Sequence, residues 1–241
     1  MVVEASRLHR VKNRRETGLA LLEGQRLVKD AVAAGATLTR IFFTNGDTET
    51  PVWAAEAGVE AIPVDLRALG RLSGTETPKG PIAVVEIPEP PSDPDSDVLV
   101  AWAVSDPGNV GTLIRTAAAF QWTFAYAPGT ADPWSSKCLR AGAAGHFQTR
   151  VLPIESLSDL GDRLVVASVV EGGQAPTPSE GRVALLIGEE ASGLPANVVE
   201  RADMSTTIPT PGSTESLNAA VAAGILVSEF SKAPKHRADH V

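Results

Sequence analysis

Cysteine is nearly missing from this sequence: Cys138 stands alone among 241 residues. That excludes an intrachain disulfide framework and every zinc site needing two or more thiolates. Aromatic residues are scarce as well, at 5%, so Ala, Val and Leu carry most of the 43% hydrophobic content. Such a composition suits helices and buried parallel strands better than an aromatic-rich β-sandwich. No run of about 18 apolar residues occurs, and the opening MVVEASRLHRVKNRRE contains no apolar h-region. Neither membrane insertion nor secretion is expected, and a cytoplasmic protein is. Also absent are G-x-G-x-x-G, the P-loop and G-x-S-x-G, the carriers of a Rossmann dinucleotide site, a P-loop NTPase and a serine hydrolase elbow.

Positive charge is in deficit too. The formal net charge is −8, which for the chain as a whole argues against a partner rich in phosphate. Its distribution reverses the argument locally. Residues 1–29 hold Arg7, Arg10, Lys12, Arg14, Arg15, Arg26 and Lys29 against Glu4, Glu16 and Glu23, a balance of +4 that leaves −12 for the remainder. Asymmetry of this kind points to an anionic partner at the amino-terminal end. On charge alone the alternative is a solvated helix face.

Residues 88–97, PEPPSDPDSD, consist only of Pro, Asp, Glu and Ser, which can neither bury surface nor hold a helix. They mark a boundary between a domain over 1–90 and a second over 98–241, with a linker over 91–97. Before it, the pattern predicts a basic helix over Ser6 to Thr17, a strand over Leu19 to Leu22 and a helix from Gln25 closed by Gly35. Strand LTRIFFT, helix PVWAAEAG and strands AIPVD and PIAVVEI complete a small α/β domain. After it, VLVAWAV, TFAYA, RLVVASVV and VALLIG are continuous apolar runs of strand length, separated by helical segments such as GTLIRTAAAF and SSKCLRAGAAG. Continuous rather than alternating hydrophobicity predicts strands covered on both faces, hence a parallel sheet in a layered α/β domain.

The segment LNAAVAAGILVSEF contains only Asn218, Ser228 and Glu229 as polar residues. A helix this apolar is expected to be buried on two sides, by its own sheet and by a partner, with Ala219, Ala220, Ala222, Ala223 and Gly224 allowing close approach. The alternative is burial wholly within one chain.

In open parallel sheets ligands sit beyond the carboxyl ends of the strands, and three loops there stand out. SDPGNVGTLIRT offers a Pro107–Gly108 turn, Asn109, Gly111 and, one turn into the next helix, Arg115. GEEASGLP flanks two carboxylates with Gly188 and Gly193, and IPTPGSTESLN is polar until it enters the last helix. Each has a structural alternative: glycine and proline make turns, Arg115 could pair with a carboxylate, Glu189 and Glu190 could be solvated, and Ser213 or Ser216 could cap the last helix. Together they are expected to converge on one edge of one sheet. His146 has no visible Cys or Asp partner motif and reads as structural, with a nucleic-acid contact as the other option.

NVGTLIRTA, IGEEASGLP and IPTPGSTESLNAAVAAGI resemble, in order and spacing, the three signature motifs of the SpoU/TrmH family of RNA ribose 2′-O-methyltransferases within the SPOUT superfamily. LALLEGQRLVKDAVAAG with TPKGPIAVV resembles the amino-terminal substrate-binding domain of many members, and SSKCLRAGAAGHF a segment in which an arginine, here Arg140, lies near RNA. The departures are Glu189, where the family often has a small or polar residue, and Gly142, where it often has Ser.

The resemblance implies an α/β carboxyl-terminal SPOUT domain with a deep trefoil knot, an exception to the rule that chains avoid threading. It implies S-adenosylmethionine held by backbone groups at Gly188, Ile208 and Leu217, with a contact from Ser168; a side chain at Gly188 is expected to fill space the ligand needs. Arg115 is implied as the catalytic group, oriented with the methionine end by Asn109, Glu190, Ser216 and Asn218. Arg7, Arg10, Lys12, Arg14, Arg15, Arg26 and Arg140 would bind RNA, rRNA ahead of tRNA, and the last helix would form a homodimer. Two rivals remain: an inactive RNA-binding or ribosome-assembly protein on this fold, and an α/β enzyme for a small molecule. The first should lose Asn109 or Arg115, and both are present; the second has no use for the basic amino-terminal segment.

Overall fold

A computed structural model describes residues 1–89, 95–212 and 217–232. Positions 91–94 of the expected linker, and Ser213 and Ser216, lie outside the described residues. The chain forms two compact units, one of residues 1–89 with 132–148, the other spanning 90–131 and 149–241. Residues 132–148, which the linear boundary at 90 assigns to the second domain, therefore pack with the first.

In the first unit, α1 (Val2–Ser6) and α2 (Val11–Thr17) flank a 3₁₀ turn at Arg7–His9. The single basic helix expected over Ser6 to Thr17 is broken because Arg10 is extended (φ −92°, ψ 130°). The break lets Leu8 enter the core, and its carbonyl accepts from Arg14 Nη1 at 2.5 Å. There follow β1 (Leu19–Glu23), α3 (Gln25–Ala33), β2 (Leu38–Thr44), α4 (Thr50–Glu56), β3 (Glu60–Val64), α5 (Leu66–Leu72) and β4 (Ile82–Glu86). The strands form one sheet in the order β1-β4-β2-β3, antiparallel except for β2 with β3. Leu21, Phe42, Leu69, Leu72 and Ile82 build its core with Ala5 and Leu8.

The second unit begins with β5 (Val98–Ala101), α6 (Pro107–Phe120) and β6 (Thr123–Tyr126). The chain then makes α7 (Ser136–Gly142), which belongs to the first unit and packs on β1. It continues with β7 (Val151–Pro153), β8 (Leu164–Ser168), β9 (Val183–Ile187), α8 (Ala196–Val199), β10 (Met204–Thr206) and α9 (Ala219–Phe230). All six strands are parallel, in the order β10-β8-β9-β5-β6-β7. All four continuous apolar runs are strands of this sheet, and every residue of β5 and β9 is buried. From β5 the chain winds outward through β6 and β7, then crosses to β8 and returns to β9 beside β5. The direction of winding thus reverses at β5 and β9, the place where an open parallel sheet leaves a crevice beyond its strand ends.

Candidate active site

The loop after β9 is shaped by its own backbone. Gly193, left-handed at φ +66°, returns its amide to the Glu189 carbonyl at 2.8 Å, folding the chain back. A Cβ on Gly188 would lie 2.3 Å from the Gly193 carbonyl carbon and 2.5 Å from the Leu194 nitrogen. Glycine is required there by this close approach, which corrects the expectation that a side chain would instead fill ligand space. The Glu189 carboxylate, far from idle, accepts from Ser105 Oγ and Ser192 Oγ, each at 2.8 Å. Those hydroxyls hold its carboxyl below the usual carboxylate range.

At the start of α6, Asp106 Oδ1 accepts from the amides of Gly108 (2.7 Å) and Asn109 (3.0 Å), and Pro107 opens the helix. Asp-Pro-Gly is therefore a helix cap rather than the expected turn, and Arg115 lies two turns inside α6 rather than one. Asn109 donates through Nδ2 to Oε1 of Glu190, while Asn218 Nδ2 donates to Asn109 Oδ1 at 3.1 Å. Asn218 Oδ1 accepts from the amides of Ala220 (3.0 Å) and Val221 (3.3 Å), and so caps α9 in place of the serines considered from sequence. A carboxylate can only accept, so every amide in this row has one orientation, nitrogen toward Glu190 and oxygen toward α9. One directional row ties the loop after β9, the start of α6 and the start of α9.

A cavity of about 380 Å³ opens beside these elements. Ser168, Gly188, Ile208 and Leu217, the four positions expected to hold a cofactor, all line it, together with Glu189 and Glu190. Arg115 is exposed and makes no hydrogen bond or ion pair with any described residue. Of the expected catalytic set the structure brings Asn109, Glu190 and Asn218 together; Ser216 lies outside the described residues.

In the first unit Arg7, Arg10, Lys12 and Arg15 are exposed within nine residues of one another. Arg26 is exposed too, 3.6 Å from Asp30. Arg14 is the correction: its side chain is 6% exposed, Nε donates to Asp132 Oδ2 at 2.8 Å and Nη2 pairs with the same oxygen. A guanidinium closed on a carboxylate and a carbonyl has no face left for RNA. Arg140 donates to Glu23 Oε2 at 3.2 Å and stays one-third exposed. Burial alone would push the Glu23 carboxyl up, but hydrogen bonds from Ser73, Thr75, Gly74 and Lys79 outweigh it and hold it below the usual range. His146 is fully buried, bonded through Nε2 to the Pro133 carbonyl at 2.8 Å, which rules out the nucleic-acid contact. Burial lowers it to about 4, against the raising effect of that carbonyl.

Sequence reasoning missed Asp106, the Ser105–Glu189–Ser192 clamp and Glu23. Asp before Pro is a cap signal that could have been read. A carboxylate ending the apolar run LALLE before a glycine was the signal for Glu23.

A fully parallel sheet with a ligand cavity at the carboxyl ends of its central strands, together with a smaller unit whose amino-terminal segment is basic, defines an α/β enzyme with a separate binding module. Residues 97–228 match the SpoU rRNA Methylase family and residues 2–83 the MRM3-like substrate binding domain. The chain belongs to the SpoU rRNA methylase family and is an RNA methyltransferase. It is 34% identical over 236 residues to the 23S rRNA (guanosine(2553)-2′-O)-methyltransferase RlmP of Bacillus subtilis, covering 94% of each chain. It is similar to the crystal structure of the SpoU methyltransferase AviRb from Streptomyces viridochromogenes in complex with AdoMet, at a TM-score of 0.83 and 25% identity over 95% of this chain and 96% of that one. The AdoMet-bound rRNA methyltransferase from Sinorhizobium meliloti matches at 0.79 and 27% identity, over 95% and 93% of the two chains.

Proposed function

We propose that this protein transfers a methyl group from S-adenosylmethionine to a ribose 2′-hydroxyl of ribosomal RNA. The observation that carries the reading is the row Glu190–Asn109–Asn218, which reaches the cavity through Glu190 and shares α6 with the exposed cation of Arg115, unpaired among the described residues. The cavity fits the cofactor: its volume is within the roughly 300–1,000 Å³ of small-ligand sites. Gly188, Ile208, Leu217 and Ser168 line it, and their backbone groups with the Ser168 hydroxyl are assigned to the cofactor. Bound there, S-adenosylmethionine supplies a sulfonium methyl group open to in-line attack.

The protein's own part is chiefly alignment, which can contribute on the order of 7–11 kcal/mol, against about 10²- to 10⁴-fold from general-base help. Arg115 is a poor base because guanidinium stays protonated in proteins. It binds an RNA phosphate and stabilises the developing alkoxide, while the proton leaves to phosphate or water. Asn109, Glu190 and Asn218 hold the start of α6 against the cavity, with Ser216 assigned to the same group. Arg7, Arg10, Lys12, Arg15, Arg26 and Arg140 supply the phosphate contacts of the first unit.

The family relation supports a trefoil knot in the second unit and a homodimer formed through α9, acting in the cytoplasm. On α9, Val221 (52%) and Ile225 (37%) are exposed four residues apart, hence on one face, and Phe120 at the end of α6 is 37% exposed. No helix of the described residues is long and apolar enough to cross a membrane. The test is incubation with methyl-labelled S-adenosylmethionine and an unmodified 23S ribosomal RNA transcript. A ribose-methylated nucleoside in the digest is the expected product; label entering only tRNA or small metabolites would refute the assignment.

A further inference from the structure

Glu23 ends β1 with its side chain 4% exposed, and five donors converge on its carboxylate. They are Ser73 Oγ at 2.5 Å, Thr75 Oγ1 at 2.9 Å, the amides of Gly74 at 3.1 Å and Lys79 at 3.4 Å, and Arg140 Nη1 at 3.2 Å. Four of the five belong to the irregular stretch between α5 and β4, whose residues Gly74 to Thr77 are exposed. The fifth, Arg140, spends Nη1 on Glu23, and its Nε and Nη2 have no partner among the described residues. The stretch lies close against α7: a Cβ on Gly74 would sit 3.2 Å from Ser136 Cβ and 3.5 Å from Arg140 Nη1.

A buried carboxylate is costly unless its acceptor sites are filled, and an apolar residue of similar size is often as good for stability. What Glu23 organises is exposed chain and a one-third-exposed cation, so the benefit of keeping it lies at the surface. We propose that Glu23 is the positioning residue of the RNA-binding unit: it fixes the loop Gly74–Lys79 and the free edge of the Arg140 guanidinium as one preformed surface for an RNA phosphodiester. The inference rests on the RNA-methyltransferase reading above. Two guanidinium nitrogens left over by Glu23 suit a phosphate, and the exposed loop beside them is already hydrogen-bonded to the same carboxylate. Ordering two residues before binding instead of during it is worth at least about tenfold in affinity.

Glu23→Gln keeps the shape and removes the charge that holds Arg140. In methyl transfer to an unmodified 23S ribosomal RNA transcript, we expect KM for RNA to rise at least tenfold, with kcat and the Kd for S-adenosylmethionine within twofold. Amides 74–79 should exchange hydrogen faster in the absence of RNA. Should Glu23→Gln fail to fold, Ser73→Ala with Thr75→Ala removes two donors and leaves the carboxylate with Arg140 and two amides; the same split, smaller, is expected. Unchanged KM for RNA in a folded variant, or kcat and cofactor binding falling together with it, would overturn the inference while leaving the RNA reading intact. Failure of the unsubstituted protein to methylate the transcript would instead remove the RNA reading, and the inference with it.

Discussion

Gly188 shows how a single residue can be constrained by the protein instead of by its ligand. A valine there meets the Gly193 and Leu194 backbone, where even a bare Cβ would approach to 2.3 Å. Gly188→Val is therefore expected to lower Tm and cofactor affinity together, read by thermal unfolding and calorimetry. A variant of unchanged Tm that merely fails to bind cofactor would contradict this. Asn109 and Glu190 were legible because each sits in a polar, glycine-containing stretch directly after a buried apolar run, and Asn218 because it stands where a polar stretch enters the apolar last helix. Arg14 was misread because a charge sum counts cations without knowing which is closed on a carboxylate; its partner Asp132 is 118 positions away. Glu189 was set aside as a departure, and only the fold shows Ser105 and Ser192 on its carboxylate.

Among elements, long apolar strands and the last helix were readable because burial on both faces leaves a continuous signal. The short pieces were not: α5 carries an internal glycine, and β7 and β10 have three residues each. The start of α6 was lost because Asp-Pro-Gly fits a turn and a cap equally well by composition. The segment 132–148 holds His146 buried and neutral, with Trp134 packed at 5.3 Å between ring centroids. Its pKa falls from 6.5 unfolded to about 4 folded, so the unfolded state binds the extra proton between those values. Stability from this group is complete above about pH 6.5 and is lost as pH drops toward 4, by on the order of 3 kcal/mol. His146→Gln should flatten that acid limb in denaturant unfolding measured from pH 7 to 4; an unaltered limb would show that other groups set it.

At the scale of the whole molecule, a composition break located one boundary near residue 90 but could not show the chain re-entering its first unit at 132–148, because α7 is as ordinary in sequence as any helix of the second. The apolar last helix was expected to be buried by its own sheet and by a partner; within its own unit it packs on α6 and β9, where Ala219, Ala220 and Ala223, thought to meet a partner, are buried, while Val221 and Ile225 are exposed. Ile225→Glu should thus give a folded monomer with little activity, seen by sedimentation at micromolar concentration, and an active monomer would overturn the proposed dimer.

In the proposed reaction labour is divided, with cofactor held by the cavity and RNA engaged by the exposed Arg115 guanidinium on α6. Arg115→Ala tests it most directly, with S-adenosylmethionine binding measured by calorimetry and methyl transfer to a 23S ribosomal RNA transcript measured on the same sample. Cofactor affinity within a few-fold of the parent and transfer abolished is the predicted result. Loss of both together, or transfer at the parent rate, would contradict it.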